Sequence, residues 1–304
     1  MSIQFEALSS ETVEQLAYVY RGWVDHVSYY FPLDVSSLTH TLFVQPEVHP
    51  ATFEMDAEAS AIALQESEPV AWIQAGYLSN IPTIPDGQRD GLIRGLMITE
   101  GRKEVGRRLL EHALATLADK SVRAWRAFEH NCGYTFATGI GKAPNRMTDV
   151  IELLSEQGFK PEDVNLVYAA DSLKLLSKAR DPASIAVEFL PGGWTEPQAN
   201  VHWDQFNFSE HGQKVGYATV VPVRQLTNNP KEQTLFVKGI AVEPLHHRRG
   251  IGHLIMSTLW DHYHRLGINQ IILNTGDDNI RAQKFYEAIG FQMTDLITSF
   301  HHVT

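Results

Sequence analysis

The chain has 304 residues, 43% hydrophobic and 20% charged, an ordinary globular composition and enough length for two domains. Asp and Glu number 36 against 25 Lys and Arg, a net charge of −11. This argues against a nucleic-acid partner, because neutralising phosphates needs clustered cations. The single cysteine, Cys132, excludes an intrachain disulfide and a cysteine-rich metal centre. With no long apolar run and no signal-like start at Met1, the expected location is cytoplasmic, with no membrane partner.

Residues Glu11–Trp23 carry Val13, Leu16, Ala17, Tyr20 and Trp23 at helical spacing, with Ser10 as the expected N-cap, and a second helical stretch covers Val35–Val44. Strand-like runs follow at Ala59–Leu64, Val70–Leu78 and Gly91–Thr99, separated by turn-rich pieces such as Ile81–Gly87. Val105, Leu109, Leu110, Ala113, Leu114 and Leu117 share one face of a further helix; another runs from Thr148 to Gly158, and strand Asn165–Ala170 closes this half. The polar stretch Asp171–Ser184 is the expected linker. Beyond it come strands Ala199–Phe208, Val215–Val223 and Thr234–Val242. A helix from Gly250 follows, with Ile251, Ile255, Leu259, Tyr263 and Leu266 on one face and Gly267 at its end. Strand Gln270–Leu273 and a helix over Asn279–Ile289, stopped by Gly290, complete the chain.

The two halves repeat one theme. Arg94-Gly95-Leu96-Met97-Ile98 parallels Lys238-Gly239-Ile240-Ala241-Val242, and each half ends a later helix with Gly-Phe, at Gly158-Phe159 and Gly290-Phe291. The glycine-to-glycine spacings are 63 and 51 residues, and the Gly-rich stretch Cys132–Lys142 accounts for the excess. The expected domains are 1–175 and 183–304.

The most informative segment is Val242–Leu254, an apolar strand running through His246-His247-Arg248-Arg249-Gly250-Ile251-Gly252-His253 into a helix. Glycines there let backbone N–H groups converge at a helix N-terminus, a site for a phosphate or pyrophosphate. Taken alone, such a turn equally serves tight packing. The helix Asn279–Gly290, with Ala282, Phe285, Tyr286 and Glu287, follows it. Through the basic-Gly-x-Gly turn and the Asn-x-x-Ala-x-x-Phe-Tyr-Glu-x-x-Gly-Phe helix, the chain resembles the GNAT superfamily of acetyl-CoA-dependent N-acyltransferases. The resemblance covers Ala199–Thr304 and extends more weakly over Met1–Ala170. It implies an α/β chain of two tandem GNAT-like domains, each a mixed, mostly antiparallel twisted sheet flanked by helices, the first a degenerate copy.

Carried onto this sequence, the resemblance implies that acetyl-CoA is the cosubstrate. His247, Arg248, Arg249, Gly250, Ile251, Gly252 and His253 would hold its pyrophosphate, with His247 at a position usually occupied by Gln or Arg. Ile240, Ala241 and Val242 would pair with the pantetheine arm, and Asn274, Asn279, Ala282 and Phe285 would line the same groove. Tyr286 would be the catalytic residue, a general acid for the departing thiolate, since a phenol of pKa about 10 is protonated at neutral pH. Ala282, Phe285, Tyr286 and Ile289 also share a helix face, so Tyr286 reads equally as a core tyrosine.

Relatives carry a carboxylate base where this chain has Lys238 or Asn274; Asp204, Glu210 and Glu243 are the alternatives in the second half. In the first half, Glu104 is aligned with Gly250 and Leu154 with Tyr286, so the turn and the acid are both missing there. The 14 histidines, including His246-His247 and His301-His302, form no zinc-binding pattern, and no metal is assigned. Two functions remain open. One is acetyl transfer to a primary amine of a small-molecule acceptor by a monomer or homodimer; the other is a non-catalytic CoA-binding sensor or scaffold.

Overall fold

The computed structural model describes residues 3–24, 31, 33–43, 47–48, 51–79, 84–118, 120, 122–129, 132, 134, 141–174, 184–196, 201–227 and 229–303. Of the expected segments, residues 44, 81–83, 133, 135–140, 175–183 and 199–200 lie outside that set. The chain divides into two compact units, Met1–Val164 with Asp295–Thr304, and Asn165–Thr294. Compactness thus places the division at 164/165, where the sequence suggests 175/183, and gives the last ten residues to the first unit.

The first unit contains β1 (Ile3–Ala7), α1 (Val13–Val24), α2 (Val35–Phe43), β2 (Glu47–Val48), β3 (Ala51–Met55), β4 (Ala61–Gln65), β5 (Glu68–Ser79), β6 (Asp90–Ile98), α3 (Lys103–Ala118), β7 (Ala124–Ala127), β8 (Ala143–Pro144), α4 (Thr148–Glu156) and the start of β9 (Lys160–Ala170). Thr12, not Ser10, opens α1: its carbonyl accepts from Leu16 N–H at 3.1 Å and its hydroxyl from Ser9 N–H at 2.9 Å. The strands run β1-β4-β5-β6-β7, antiparallel except β6–β7, and β7 pairs on its other edge with Phe300–Val303. Both α1 and α3 pack on β5 and β6, which accounts for their burial along nearly the whole length and for their continuous apolar sequences.

The second unit contains β10 (Ile185–Glu196), β11 (Val201–Glu210), β12 (Gln213–Pro222), α5 (Val223–Thr227), β13 (Thr234–Val242), α6 (Ile251–His264), β14 (Gln270–Gly276), α7 (Ile280–Ala288) and the first residues of β15 (Gln292–Val303). The order is β10-β11-β12-β13-β14, antiparallel except β13–β14. The free edge of β14 is completed by Asn165–Ala170 of β9, the strand that the sequence assigns to the first half. Ile251, Ile255, Met256, Leu259 and Tyr263 of α6 pack on Val215, Ala218, Val220, Leu235 and Val237. Leu266, expected on that face, lies past the helix end and is exposed. No helix among the described residues is long and apolar enough to cross a membrane.

Candidate active site

The site grows from a split in the second sheet. β13 and β14 pair in parallel from Thr234/Gln270 to Val237/Leu273 and then part, while their outer edges stay paired, β13 with β12 out to Val242 and β14 with β9 out to Gly276. A shift in register between Thr219 and Val220 leaves Lys238 as an extra residue at the point of the V, a β-bulge that turns the strand. Beyond it Lys238–Val242 are half-buried, and their inward-facing backbone groups are turned toward the open V. A groove of about 650 Å³ follows this edge, with Ile240, Ala241 and Val242 as one wall.

The strand leads into the eight-residue turn 243–250. Glu243 N–H is fixed to Val215 C=O at 2.9 Å, Pro244–His246 form a single 3-10 turn, and Arg248 and Gly250 both take left-handed conformations, at φ +62° and +82°. Glycine adopts that conformation without strain; Arg248 is held in it. The first α6 bond is Leu254 N–H to Gly250 C=O. The N–H groups of Ile251, Gly252 and His253 therefore project from the helix start, at the positive end of its dipole. His246, His247, Arg248 and Gly250 line the groove at this end, with the three α6 residues. The Nε2 of His253 is buried there without a hydrogen-bond partner among the described residues.

His247 is clamped on both sides, Nε2 lying 2.8 Å from the Val242 carbonyl and Nδ1 2.8 Å from an Arg281 guanidinium nitrogen. A guanidinium only donates and a carbonyl only accepts, so the ring carries its proton on Nε2. Arg249 turns elsewhere, donating to both Glu210 oxygens at 2.8 and 2.7 Å, and lies 2.6 Å from His246 Nδ1. It anchors the turn and is not part of the groove wall. The same pair holds the Glu210 carboxyl below its ordinary range.

Asn279 caps α7 by accepting from Ala282 N–H at 3.2 Å, and Asn279, Arg281, Ala282, Phe285 and Tyr286 form the opposite wall. The helices approach closely because α6 has a glycine at the contact. A Cβ on Gly252 would stand 3.1 Å from the Phe285 ring. The Tyr286 ring is 6% exposed, packed on Tyr168, Phe285 and Phe291, and no hydrogen-bond partner reaches its hydroxyl among the described residues. Burial pushes its pKa up to about 12, which keeps the phenol protonated. Core packing and a groove-facing position thus coexist in one residue.

Asn274 stands just past the last β13–β14 rung and accepts from Asn165 at 3.1 Å; it is not among the groove residues. His246 and Arg281 do line the groove, although the sequence reading left both out. Arg281 could have been noticed as a cation in the first turn of α7. Of the candidate bases, Asp204 accepts from Tyr263 at 2.6 Å and Gly192 N–H at 2.9 Å, Glu210 is bound to Arg249, and Glu243 precedes the 3-10 turn; none lines the groove.

The first unit repeats the split and closes it. Its parallel ladder stops at Ile93/Ala127, and Arg94 occupies the bulge. Here, however, β6 is buried to its end, and Tyr134 fills the gap so tightly that a Cβ on Gly95 would lie 2.4 Å from its hydroxyl. Tyr134 donates to Gln74 at 3.0 Å, and Arg94, 2% exposed, donates to Gln74 at 3.1 Å and to Cys132 C=O at 2.8 Å. The turn before α3 has only four residues, 99–102. Counted from the helix starts, Arg102 is the counterpart of Gly250 and Glu104 that of Gly252, a correction to the sequence alignment. Lys103 and Arg107 then tie α3 to Glu152 and Glu156 of α4, at 2.5 and 3.3 Å for Lys103. Leu154, opposite Tyr286, is fully buried.

A splayed parallel pair, a bulge and a helix N-terminus at the mouth of the split define the GNAT acyltransferase architecture. The sequence profile of the Acetyltransferase (GNAT) family matches residues 180–291, and this part of the chain is a GNAT-family domain. The whole chain has the tandem GNAT fold. It superposes on a tandem GNAT protein from the clavulanic acid biosynthesis pathway with a TM-score of 0.68 at 14% identity, covering 99% of this chain and 98% of that one. A GCN5-related N-acetyltransferase from Sphaerobacter thermophilus gives 0.61 at 12% identity, covering 99% and 95%. No curated protein matches the sequence significantly. Members of the family generally use acetyl-CoA as cosubstrate.

Proposed function

We propose that this protein is a cytoplasmic N-acetyltransferase whose second unit moves the acetyl group of acetyl-CoA to a primary amine of a small-molecule acceptor. The observation that carries the reading is the convergence of the strand edge Ile240–Val242, which lies beyond the last rung with β14, with the N–H groups of Ile251–His253 on one groove. This donor set fits an extended amide chain ending in a pyrophosphate, and the buried Nε2 of His253 adds an orphaned polar atom at the same place. The closed counterpart in the first unit supports a single cosubstrate site.

In the proposed mechanism, β13 holds the pantetheine arm as an added strand, and a backbone N–H near Gly239 polarises the thioester carbonyl. The acceptor ammonium first loses a proton to water, since no carboxylate among the described residues lines the groove. The amine nitrogen then bonds to the acetyl carbon as the carbon–sulfur bond breaks. Tyr286 gives its proton to the sulfur, and the proton shed by the new amide nitrogen restores the phenol through solvent. The balance is one ammonium and one thioester consumed, with one amide, one thiol and one proton released.

The test is incubation with acetyl-CoA and a panel of amines, following free thiol and the mass of the product. Thiol release matched by an acetylated amine supports the proposal. Tight acetyl-CoA binding with no release for any amine would leave the non-catalytic CoA-binding reading in its place.

A further inference from the structure

One row of side chains crosses the sheet at the root of the V. Val237 and Leu273 form the last parallel rung between β13 and β14, and Leu273 is in turn registered with Tyr168 of β9. All three belong to the core shared with α6 and α7, whereas Lys238 at the bulge lies over the Trp194 and Trp203 rings, 4.4 and 4.6 Å from their centroids. Tyr168 is completely buried, and its ring meets that of Tyr286 at 5.9 Å, tilted by 45°. Its hydroxyl donates at 3.2 Å to a carboxylate oxygen of Glu287, the residue that follows Tyr286 on α7. Burial first, and then that carboxylate, raise the Tyr168 phenol above its ordinary value, so it keeps its proton and stays the donor.

We propose that Tyr168 is a positioning residue for acetyl transfer: through Glu287 it fixes the rotation of α7, so that the Tyr286 hydroxyl stays aimed at the thioester sulfur. The inference rests on the acetyl-transfer reading above. The need for such a tie comes from Tyr286 itself, whose hydroxyl has no hydrogen-bond partner among the described residues. Its direction is therefore set by ring packing and by the pose of α7. The helix has nine residues, and its start is held by the Asn279 cap and by Gln283, whose amide donates to the Gly276 and Asp277 carbonyls at 3.1 and 2.9 Å. Beyond Tyr286 the ties are the Tyr168 hydroxyl and a backbone bond from Lys174 N–H to the Ile289 carbonyl at 2.8 Å.

Of these last two, only the Tyr168 bond grips a side chain on the turn that carries Tyr286. Successive residues are about 100° apart around a helix, so a tie at Glu287 opposes rotation about the axis, the motion that would swing the neighbouring hydroxyl along the groove. Misplacing a reacting group by about 1 Å costs up to about 10²-fold in rate, so the tie bears on turnover. A buried phenol needs an acceptor in any protein, and a role confined to satisfying it would show in stability alone.

The test is single-turnover acetyl transfer by the full chain, with an amine taken from the thiol-release panel and each variant assayed well below its melting midpoint. Tyr168→Phe keeps the ring and loses the tie, Glu287→Ala loses it from the other side, and Glu287→Gln keeps an oxygen that can accept. The first two should be slower by about ten- to a hundredfold, with acetyl-CoA affinity and amine KM unchanged, and Glu287→Gln should recover most of the rate. In a Tyr286→Phe background neither change should cost anything further, because no hydroxyl is left to aim. An unchanged rate in Tyr168→Phe overturns the proposal, as does a Glu287→Gln protein no faster than Glu287→Ala. So does a loss that persists in full in the Tyr286→Phe background, or a Tyr286→Phe protein as fast as the unmodified one.

If no amine is acetylated, the acetyl-transfer reading fails, and the tie is tested without turnover by relaxation dispersion on ring-labelled tyrosine. The Tyr286 signal is the one missing from Tyr286→Phe. Microsecond-to-millisecond exchange of that ring should be present in Glu287→Ala and absent from the unmodified protein and Glu287→Gln. Such exchange upholds the tie; its absence from Glu287→Ala, or equal exchange in all three, refutes it. Should Tyr168→Phe not fold, the two substitutions at the exposed Glu287 decide alone.

Discussion

Residues 183–304, the piece that the motifs mark out as a domain, should not fold by themselves, because the strand completing their sheet lies upstream. Removing Asn165–Ala170 strips β14 of six registered partners from Ile271/Ala170 to Gly276/Asn165. It also uncovers the places of Val167, Tyr168 and Ala170, which are 3%, 0% and 4% exposed, and removes the support of Tyr168 beneath Tyr286. Full burial of a side chain of this size is worth about 1.5–3 kcal/mol, so Val167 and Tyr168 with the smaller share of Ala170 amount to roughly 5 kcal/mol. That sum is an upper bound because unfolded chains already bury some surface. Ladder hydrogen bonds add about 0.5–1.5 kcal/mol each. Against a domain stability of about 5–15 kcal/mol, little remains. Thermal melts followed by circular dichroism, with acetyl-CoA calorimetry, should show 160–304 melting cooperatively and binding, and 183–304 doing neither. A cooperative melt of 183–304 at the same midpoint, with undiminished binding, would refute the strand assignment.

Tyr286→Phe keeps the ring and its packing, so acetyl-CoA affinity should persist while the single-turnover rate falls by about 10²–10⁴-fold, the range for a lost general acid. The phenol is raised from about 10 to about 12 by burial, so it stays protonated up to the higher value. The alkaline loss of rate in the unmodified protein should therefore fall near pH 12 and not near 10, and pH-jump kinetics should find that limb absent from Tyr286→Phe. Gly252→Glu places a side chain against Phe285 and a negative charge at the α6 start; calorimetry should find acetyl-CoA binding abolished, whereas Gly252→Ala should retain it in weakened form. Cys132 is buried, and its thiol is pushed up to about 12 by desolvation. A thiol reagent should find it unreactive near neutral pH until the chain is denatured, leaving the CoA assay without a protein background.

The helices other than α5, and the strands β5, β6, β12 and β13, follow from apolar periodicity because each buries a face large enough to impose a pattern on its own sequence. The turn 243–250 and α7 were equally readable, since glycine spacing and the Asn279 cap are local requirements. What escaped is non-local or masked by turn chemistry. Pro191-Gly192-Gly193 reads as a break, yet β10 runs through it by shifting register between Leu190 and Trp194, with Gly192 at φ +60°. Asn165–Ala170 is recognisably a strand, but periodicity says nothing about which edge it joins, and the choice of β14 depends on contacts with distant residues. Arg249 was placed in the groove by its motif position; its partner Glu210 lies on another strand, so the diversion is invisible in the motif. Lys238 presents the same difficulty, since Trp194 and Trp203 come from a hairpin far upstream.

The two copies show that the split between parallel strands is a property of the fold and the groove is not. Both place a basic residue at a bulge, Arg94 and Lys238, immediately after the last parallel rung. In the first unit the guanidinium is buried among carbonyl acceptors and Tyr134 occupies the gap, an arrangement whose desolvation cost is offset only while every donor stays satisfied. In the second unit the cation rests on two indoles instead, and the groove beside the split stays open among the described residues. The helix contacts differ in the same sense. Lys103, Arg107, Glu152 and Glu156 draw α3 and α4 together with ion pairs, whereas their counterparts by helix position, Ile251, Ile255, Lys284 and Ala288, make no such network in the second unit. Reopening the first copy would therefore require more than removing Tyr134. The short turn 99–102 has no residues to spare for a left-handed double bend like that of Arg248 and Gly250, and Glu104 would still set a carboxylate at the start of α3, where an anion would have to bind.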